Sequence, residues 1–132
     1  PEDILEANRF VLDELNGKVE GEVEEGASIQ GRVILEKGSL VKRGALIREP
    51  AIIGENTFIG SEVYIGPYTS VGKNVEINKG EIENSIIMDH CLIYIEDRIV
   101  DSLIAPHSKV ITGGSKPRGK RFVLGEMSYV EM

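Results

Sequence analysis

His90 and His107 are the only imidazoles in this 132-residue chain, and either could serve as a general base toward a hydroxyl or amine acceptor, as an acyltransferase requires. No catalytic companion or coenzyme-binding signature accompanies them, so a structural or surface role is the favoured reading for both. His107 sits in Ala105-Pro106-His107-Ser108, a corner-forming stretch, and His90 directly precedes Cys91. That adjacent pair makes a poor metal site, because successive side chains of a strand point to opposite faces. Cys91 as a nucleophile would need a lowered pKa and a base beside it, and a small inward-facing core residue is the simpler reading. Neither a P-loop nor a dinucleotide fingerprint occurs. The residues therefore nominate no catalytic, cofactor-binding or metal-ligating position.

One further cluster could bind something. Lys116, Arg118, Lys120 and Arg121 place four positive charges within six residues, where a phosphate or an acidic partner could dock. A solvated loop that neutralises nearby carboxylates is the favoured reading of them. The whole chain carries 15 Lys and Arg against 22 Asp and Glu, a formal charge of −7, which speaks against nucleic acid or an anionic membrane as partner. A single Cys cannot form an internal disulfide, and no apolar run of membrane-spanning length appears, so the expected compartment is the cytoplasm. The opening Pro1-Glu2-Asp3 has no secretory-signal pattern and reads as the start of a fragment or a processed end.

What must position these residues is a repeat of six. Stepping from Val23 gives Ile29, Leu35, Val41, Ile47, Ile53, Ile59, Ile65, Val71 and Ile77, ten aliphatic residues in succession. Ile, Leu and Val make up 38 of the 132 residues. Chance agreement over this run, allowing for six phases, is on the order of 10⁻⁵. Four residues after each aliphatic stand Ala27, Val33, Ser39, Ala45, Ala51, Thr57, Val63, Thr69 and Val75, all small or β-branched, with Glu81 as the one failure. Three after each stand Gly26, Arg32, Gly38, Gly44, Pro50, Asn56, Glu62, Tyr68, Asn74 and Gly80, mostly residue types that tolerate a left-handed backbone.

A helix would repeat at three and four residues and a hairpin meander would alternate over longer runs. A strict six predicts an all-β parallel β-helix. Each hexad is a short strand plus a corner, with a large and a small residue facing inward, and three hexads close an 18-residue triangular coil. The recurrence of Gly54, Gly60, Gly66 and Gly72 at six is part of that geometry and not a phosphate cradle. After Ile77 the phase slips through Ile82, Ile87, Ile93, Ile99, Ile104 and Val110, which gives about five coils in all.

The expected organisation is a capping helix over 1–17, the β-helix over 18–111, and a loop with capping strands over 112–132. In the helix, Pro1 suits the first turn and Asn16-Gly17 the stop. Ile4, Ala7, Val11, Leu12 and Leu15 are the expected packing face, on the first coil, while Phe10 falls about 120° away at 100° per residue. Phe10 is then either a rim residue or the contact of a missing partner. The tail from Arg121 to Val130 is the candidate for the second cap.

The hexad pattern resembles that of hexapeptide-repeat proteins, and the left-handed, single-stranded form of the β-helix is what this resemblance implies. The ends add a second likeness. Pro1-Glu2-Asp3-Ile4-Leu5-Glu6-Ala7-Asn8-Arg9 resembles the segment that follows the catalytic core of sugar-phosphate nucleotidylyltransferases. Arg98-Ile99-Val100-Asp101-Ser102-Leu103-Ile104 and the run from Lys116 to Ser128 resemble the C-terminal region of long-form glucose-1-phosphate thymidylyltransferases, with Ala105 and Glu126 as mild departures.

In that family a Rossmann-like domain, with Mg²⁺ held by carboxylates, joins dTTP and glucose 1-phosphate into dTDP-glucose and pyrophosphate. None of its catalytic motifs occurs here, so no catalytic residue carries over and the Mg²⁺ belongs to the upstream domain. The resemblance implies a non-catalytic C-terminal assembly domain, a homo-oligomer with a trimer favoured, and the nucleotidylyltransferase domain of the same polypeptide as partner. The alternative is the acetyl-CoA-dependent acyltransferase half of a bifunctional sugar-nucleotide enzyme, with His90 or His107 as base. The nucleotide and sugar of the parent stay open.

Overall fold

A computed structural model describes residues 2–112 and the backbone of 123–124 and 129–131. Pro1 and the basic cluster Lys116, Arg118, Lys120 and Arg121 lie outside the described residues, as does most of the expected terminal cap. Among the described residues, one α-helix, Glu2–Asp13, is followed by strands alone, most of them two or three residues long, and every strand pairing is parallel. They wind into a β-solenoid of about five turns with three faces.

The first face stacks Lys18–Val19, Val33–Leu35, Ala51–Ile53, Thr69–Val71, Ile86–Ile87, Leu103–Ile104 and Val123–Leu124. The second begins with Glu22–Val23, Leu40–Val41 and Phe58–Ile59 and ends with Lys109–Ile111 and Tyr129–Glu131. The third begins with Ser28–Gln30, Leu46–Arg48 and Tyr64–Ile65. Glu76–Glu83 and Leu92–Val100 each run around the corner from the second face to the third. The two terminal strands join their faces in parallel register, Leu103 with Val123 and Lys109 with Tyr129, so the backbone continues the coil.

Register confirms the 18-residue coil in the regular part, where Val33, Ala51 and Thr69 align. The phase slips shorten later coils: Ser70 aligns with Ile86 and Ile86 with Leu103, steps of 16 and 17 residues. From Val33 to Ile77 both inward rows are buried as the hexads require, while Val23, Ala27 and Ile29 of the first coil are half-buried. Leu35, Val41, Ile47, Ile53, Ile59, Ile65 and Ile77 are sealed, and so are the small residues Ser39, Ala45, Ala51, Thr57, Val63, Thr69 and Val75 between them. Coils approach so closely that a Cβ on Gly54 would meet the Gly72 backbone, which is why glycine recurs there.

The corners are turned by left-handed residues. Asn56, Glu62, Tyr68, Asn74, Gly26, Gly38, Gly44 and Gly80 all have positive φ. At two of the ten expected positions the turn is made otherwise: Gly31 takes the left-handed conformation in place of Arg32, and Glu49-Pro50 turns through a cis peptide bond. Glu81, the one polar failure in the small row, is exposed. The five-residue step from Ile77 to Ile82 puts Gly80, which has no side chain, at the small inward position two before Ile82. Ile95 of the next coil, only 2% exposed, leans over Gly80 and fills the space.

The helix lies along the flank of the solenoid, and its packing face matches the expected one only in part. Leu12 is buried and Leu15 half-buried as expected, but Leu5 is buried too, whereas Ile4, Ala7 and Val11 are exposed. The helix carries two apolar stripes, and the stripe turned inward is the one that includes Asn8. Asn8 Oδ1 accepts a hydrogen bond from Ser70 Oγ at 2.6 Å, and its Nδ2 donates to the Tyr68 carbonyl at 3.3 Å. Farther along, Asp13 accepts from the Tyr68 hydroxyl at 2.7 Å and, through its carbonyl, from Arg32 Nη1 at 2.9 Å. Arg9 stands 4.7 Å above the Tyr68 ring.

Candidate functional site

The corner between the first and second faces collects the two histidines. Gly38, Asn56, Asn74, His90 and His107 turn this corner in successive coils, each with positive φ. Backbone bonds join them as a ladder: Asn56 N–H donates to the Lys37 carbonyl, Asn74 to Glu55, His90 to Lys73 and His107 to Asp89. Because the coil between them is 17 residues long, His107 stands directly over His90. Their rings stack with centroids 4.7 Å apart and planes 11° from parallel, and both residues are exposed. Sequence reasoning placed His107 at a corner but did not pair it with His90. The signal was available in the summed steps of six, six and five from Ile87 to Ile104.

Stacked rings hold their nitrogen lone pairs in two separate, nearly parallel planes 4.7 Å apart at the centroids, so the geometry does not converge on one ion. Among the described residues, no group of three or more His, Cys, Asp and Glu is placed to hold a metal. Cys91, next in sequence to His90, turns inward and is 2% exposed. Its Sγ donates to the Ala105 carbonyl at 3.2 Å, and burial raises the thiol pKa above its ordinary value. A thiol held protonated in a core is a poor nucleophile.

A concavity lies where the phase slip opens the corner between the second and third faces. Glu62, Lys79, Gly80, Glu81, Glu96 and Arg98 border a depression of about 370 Å³. Both of its cations are already paired. Arg98 bonds Glu81 at 3.0 Å and Glu83 at 3.1 Å, and Lys79 stands 3.7 Å from Glu96. Glu83 also accepts from the Tyr64 hydroxyl at 2.9 Å; desolvation first, and this carboxylate second, raise the Tyr64 pKa. The arrangement reads as an ion-pair network across coils, with no nucleophile and base brought together. No helix among the described residues is long and apolar enough to cross a membrane.

Comparison with known proteins gives this architecture its kinship. The profile of the GMPPB C-terminal domain matches residues 47–130. The low-salt glycan biosynthesis nucleotidyltransferase Agl11 of Haloferax volcanii is 43% identical over all of this chain, which covers 37% of that protein. A glucose-1-phosphate thymidylyltransferase of Streptomyces antibioticus is 42% identical over 98% of the chain and 36% of its own length. The bifunctional protein GlmU of Methanocaldococcus jannaschii is 48% identical over 40 residues, 30% of the chain and 10% of that protein. The chain thus spans little more than a third of the length of its first two relatives. It belongs to the GMPPB C-terminal domain family and is homologous, over essentially its whole length, to the C-terminal part of nucleotidyltransferases that include glucose-1-phosphate thymidylyltransferases.

Proposed function

We propose that this chain is the non-catalytic assembly domain of a nucleotidyltransferase, packing solenoid face against solenoid face into a homo-oligomer, with a trimer favoured. The observation that carries this reading is a rigid three-faced solenoid homologous to the C-terminal part of nucleotidyltransferases. Its outward side chains support it, since Leu40 and Phe58, neighbours on the second face, and Leu92, beyond the exposed Glu76, remain only half-buried within one copy. The parent reaction proposed is the joining of dTTP and glucose 1-phosphate into dTDP-glucose and pyrophosphate, carried out with Mg²⁺ by the upstream part of the polypeptide. The proposed setting is the cytoplasm, where a lone reduced thiol such as Cys91 persists. Light scattering behind a sizing column tests the assembly role: a trimer mass is expected, and a strict monomer at micromolar concentration overturns it.

A second reading, an acetyl-CoA-dependent acyltransferase, draws on one observation: His90 and His107 stand exposed together at one corner. Release of free thiol from acetyl-CoA with amino-sugar phosphates tests it. Should His90→Ala and His107→Ala leave any rate unchanged, neither imidazole is the base.

A further inference from the structure

The helix Glu2–Asp13 has a second apolar face that the solenoid does not use. Among the described residues, the exposed large hydrophobic side chains are Ile4 at 51%, Phe10 at 74%, Val11 at 59%, Val19, Met88 and Tyr94. Half of them lie on this one helix. With 100° per residue, Asp3, Glu6, Ala7, Phe10, Val11 and Ile4 fall within about 160° of arc, opposite Leu5 and Leu12, which face the solenoid. Between Phe10, Val11 and Ala7 on one side and Asp3 and Glu6 on the other is a shallow notch of about 430 Å³. Isolated apolar side chains on a surface are ordinary, but three grouped on one helix form a patch that marks an interaction surface.

Two observations identify the occupant. The relatives continue for nearly two thirds of their length beyond the part that this chain matches, and their matched part is the C-terminal one, so the additional length lies upstream of this helix. The patch is also rimmed by Glu2, Asp3 and Glu6 with Arg9 as the single basic residue of the helix. A second copy of the same acidic face is therefore a poor match, and a surface rimmed by Lys or Arg is a good one. We propose that the outer face of the helix, with Phe10 as its anchor, seats the upstream nucleotidyltransferase part of the same polypeptide through an apolar pocket bordered by basic residues. This rests on the assembly-domain reading in taking the chain as one part of a longer enzyme, but it needs no particular oligomer.

Photocross-linking in the full-length polypeptide tests it. Phe10→p-benzoylphenylalanine places a photoreactive ring where the phenyl group stands, and Lys37→p-benzoylphenylalanine, on the exposed corner of another face, is the control. The expected result is adducts at position 10 to peptides upstream of residue 2, several-fold above the control, and their loss when Val11→Asp is added. Adducts to residues 2–131 of another copy, or yields no higher than at position 37, overturn the proposal. Light scattering on the same sample keeps the two ideas apart, since an oligomer without upstream adducts removes the docking surface and leaves the assembly role standing.

Discussion

Thr57 and Thr69 occupy the same inward position of their hexads and are equally buried, yet only the Thr57 hydroxyl is bonded. Thr57 Oγ1 donates to the Gly72 carbonyl at 2.7 Å and accepts from the Val75 N–H at 3.1 Å, tying its own coil to the next. Among the described residues, Thr69 Oγ1 has no partner. The two substitutions to valine, which keep shape and remove the hydroxyl, should therefore differ in sign. Thr57→Val leaves two buried backbone groups unmet and should cost about 1–3 kcal/mol. Thr69→Val removes a buried, unbonded hydroxyl and should be neutral or stabilising. Chemical denaturation of the two variants side by side decides this.

Gly80 is the second position where one atom decides. A Cβ there would stand 2.5 Å from Ile95 Cγ1, on a backbone with φ of +142°. Gly80→Ala should destabilise by about 1–3 kcal/mol, the usual cost of overpacking. Ile95→Ala alone opens a cavity and should cost about 2–5 kcal/mol, but the double mutant should lose less than the sum of the two single losses, because the clash is gone. Additive losses in the double mutant would show that backbone strain alone governs the site.

The histidine corner predicts tolerance of one replacement and not another. Asn56 and Asn74 already turn this corner with the left-handed backbone that His90 adopts at φ of 62°. His90→Asn should leave thermal stability nearly unchanged. His90→Val, with a branched Cβ in the same conformation, should cost about 1–2 kcal/mol. Melting temperatures of the two variants, compared with those of the matching pair at His107, provide the check.

Acid sensitivity should trace in part to Glu49. Its carboxylate accepts from the Arg32 backbone N–H at 2.9 Å and from Arg32 Nε at 3.0 Å, and these bonds, the backbone one first, hold its pKa below the ordinary value. A carboxyl that ionises more readily folded than unfolded adds stability that is complete above its unfolded pKa, about 4.3, and is lost as pH falls through the lower folded value. Glu49→Gln should thus melt earlier than the parent at neutral pH, and the gap should close on acidification. A gap that persists unchanged at low pH would place the effect in packing and not in ionisation.

The hexad row, the small inward row and most corners were legible in the sequence because each is a local demand repeated ten times. The corners at Arg32 and Pro50 were less so: Gly31, one residue earlier, turns the left-handed way more cheaply than arginine, and the other corner turns through a cis Glu49-Pro50 bond. The helix misled for a different reason. Its Ile4-Val11 and Leu5-Leu12 stripes are equally apolar, and the choice was made by Asn8, a polar residue whose partners Tyr68 and Ser70 lie about 60 residues away. The stacking of His90 on His107 was hidden behind a five-residue step that shortens their coil to 17 residues.

The helix on the flank also bears on how the molecule comes apart. A solenoid whose coils touch only their neighbours can fray one coil at a time from an open end. Here Asp13 of a single helix is bonded to both Arg32 and the Tyr68 hydroxyl, residues two coils apart on the stack, and Asn8 of the same helix to Ser70. Loosening the first coils therefore means releasing a brace that also holds the middle of the stack. The N-terminal half should unfold as one cooperative block, even though its architecture is a row of nearly independent steps.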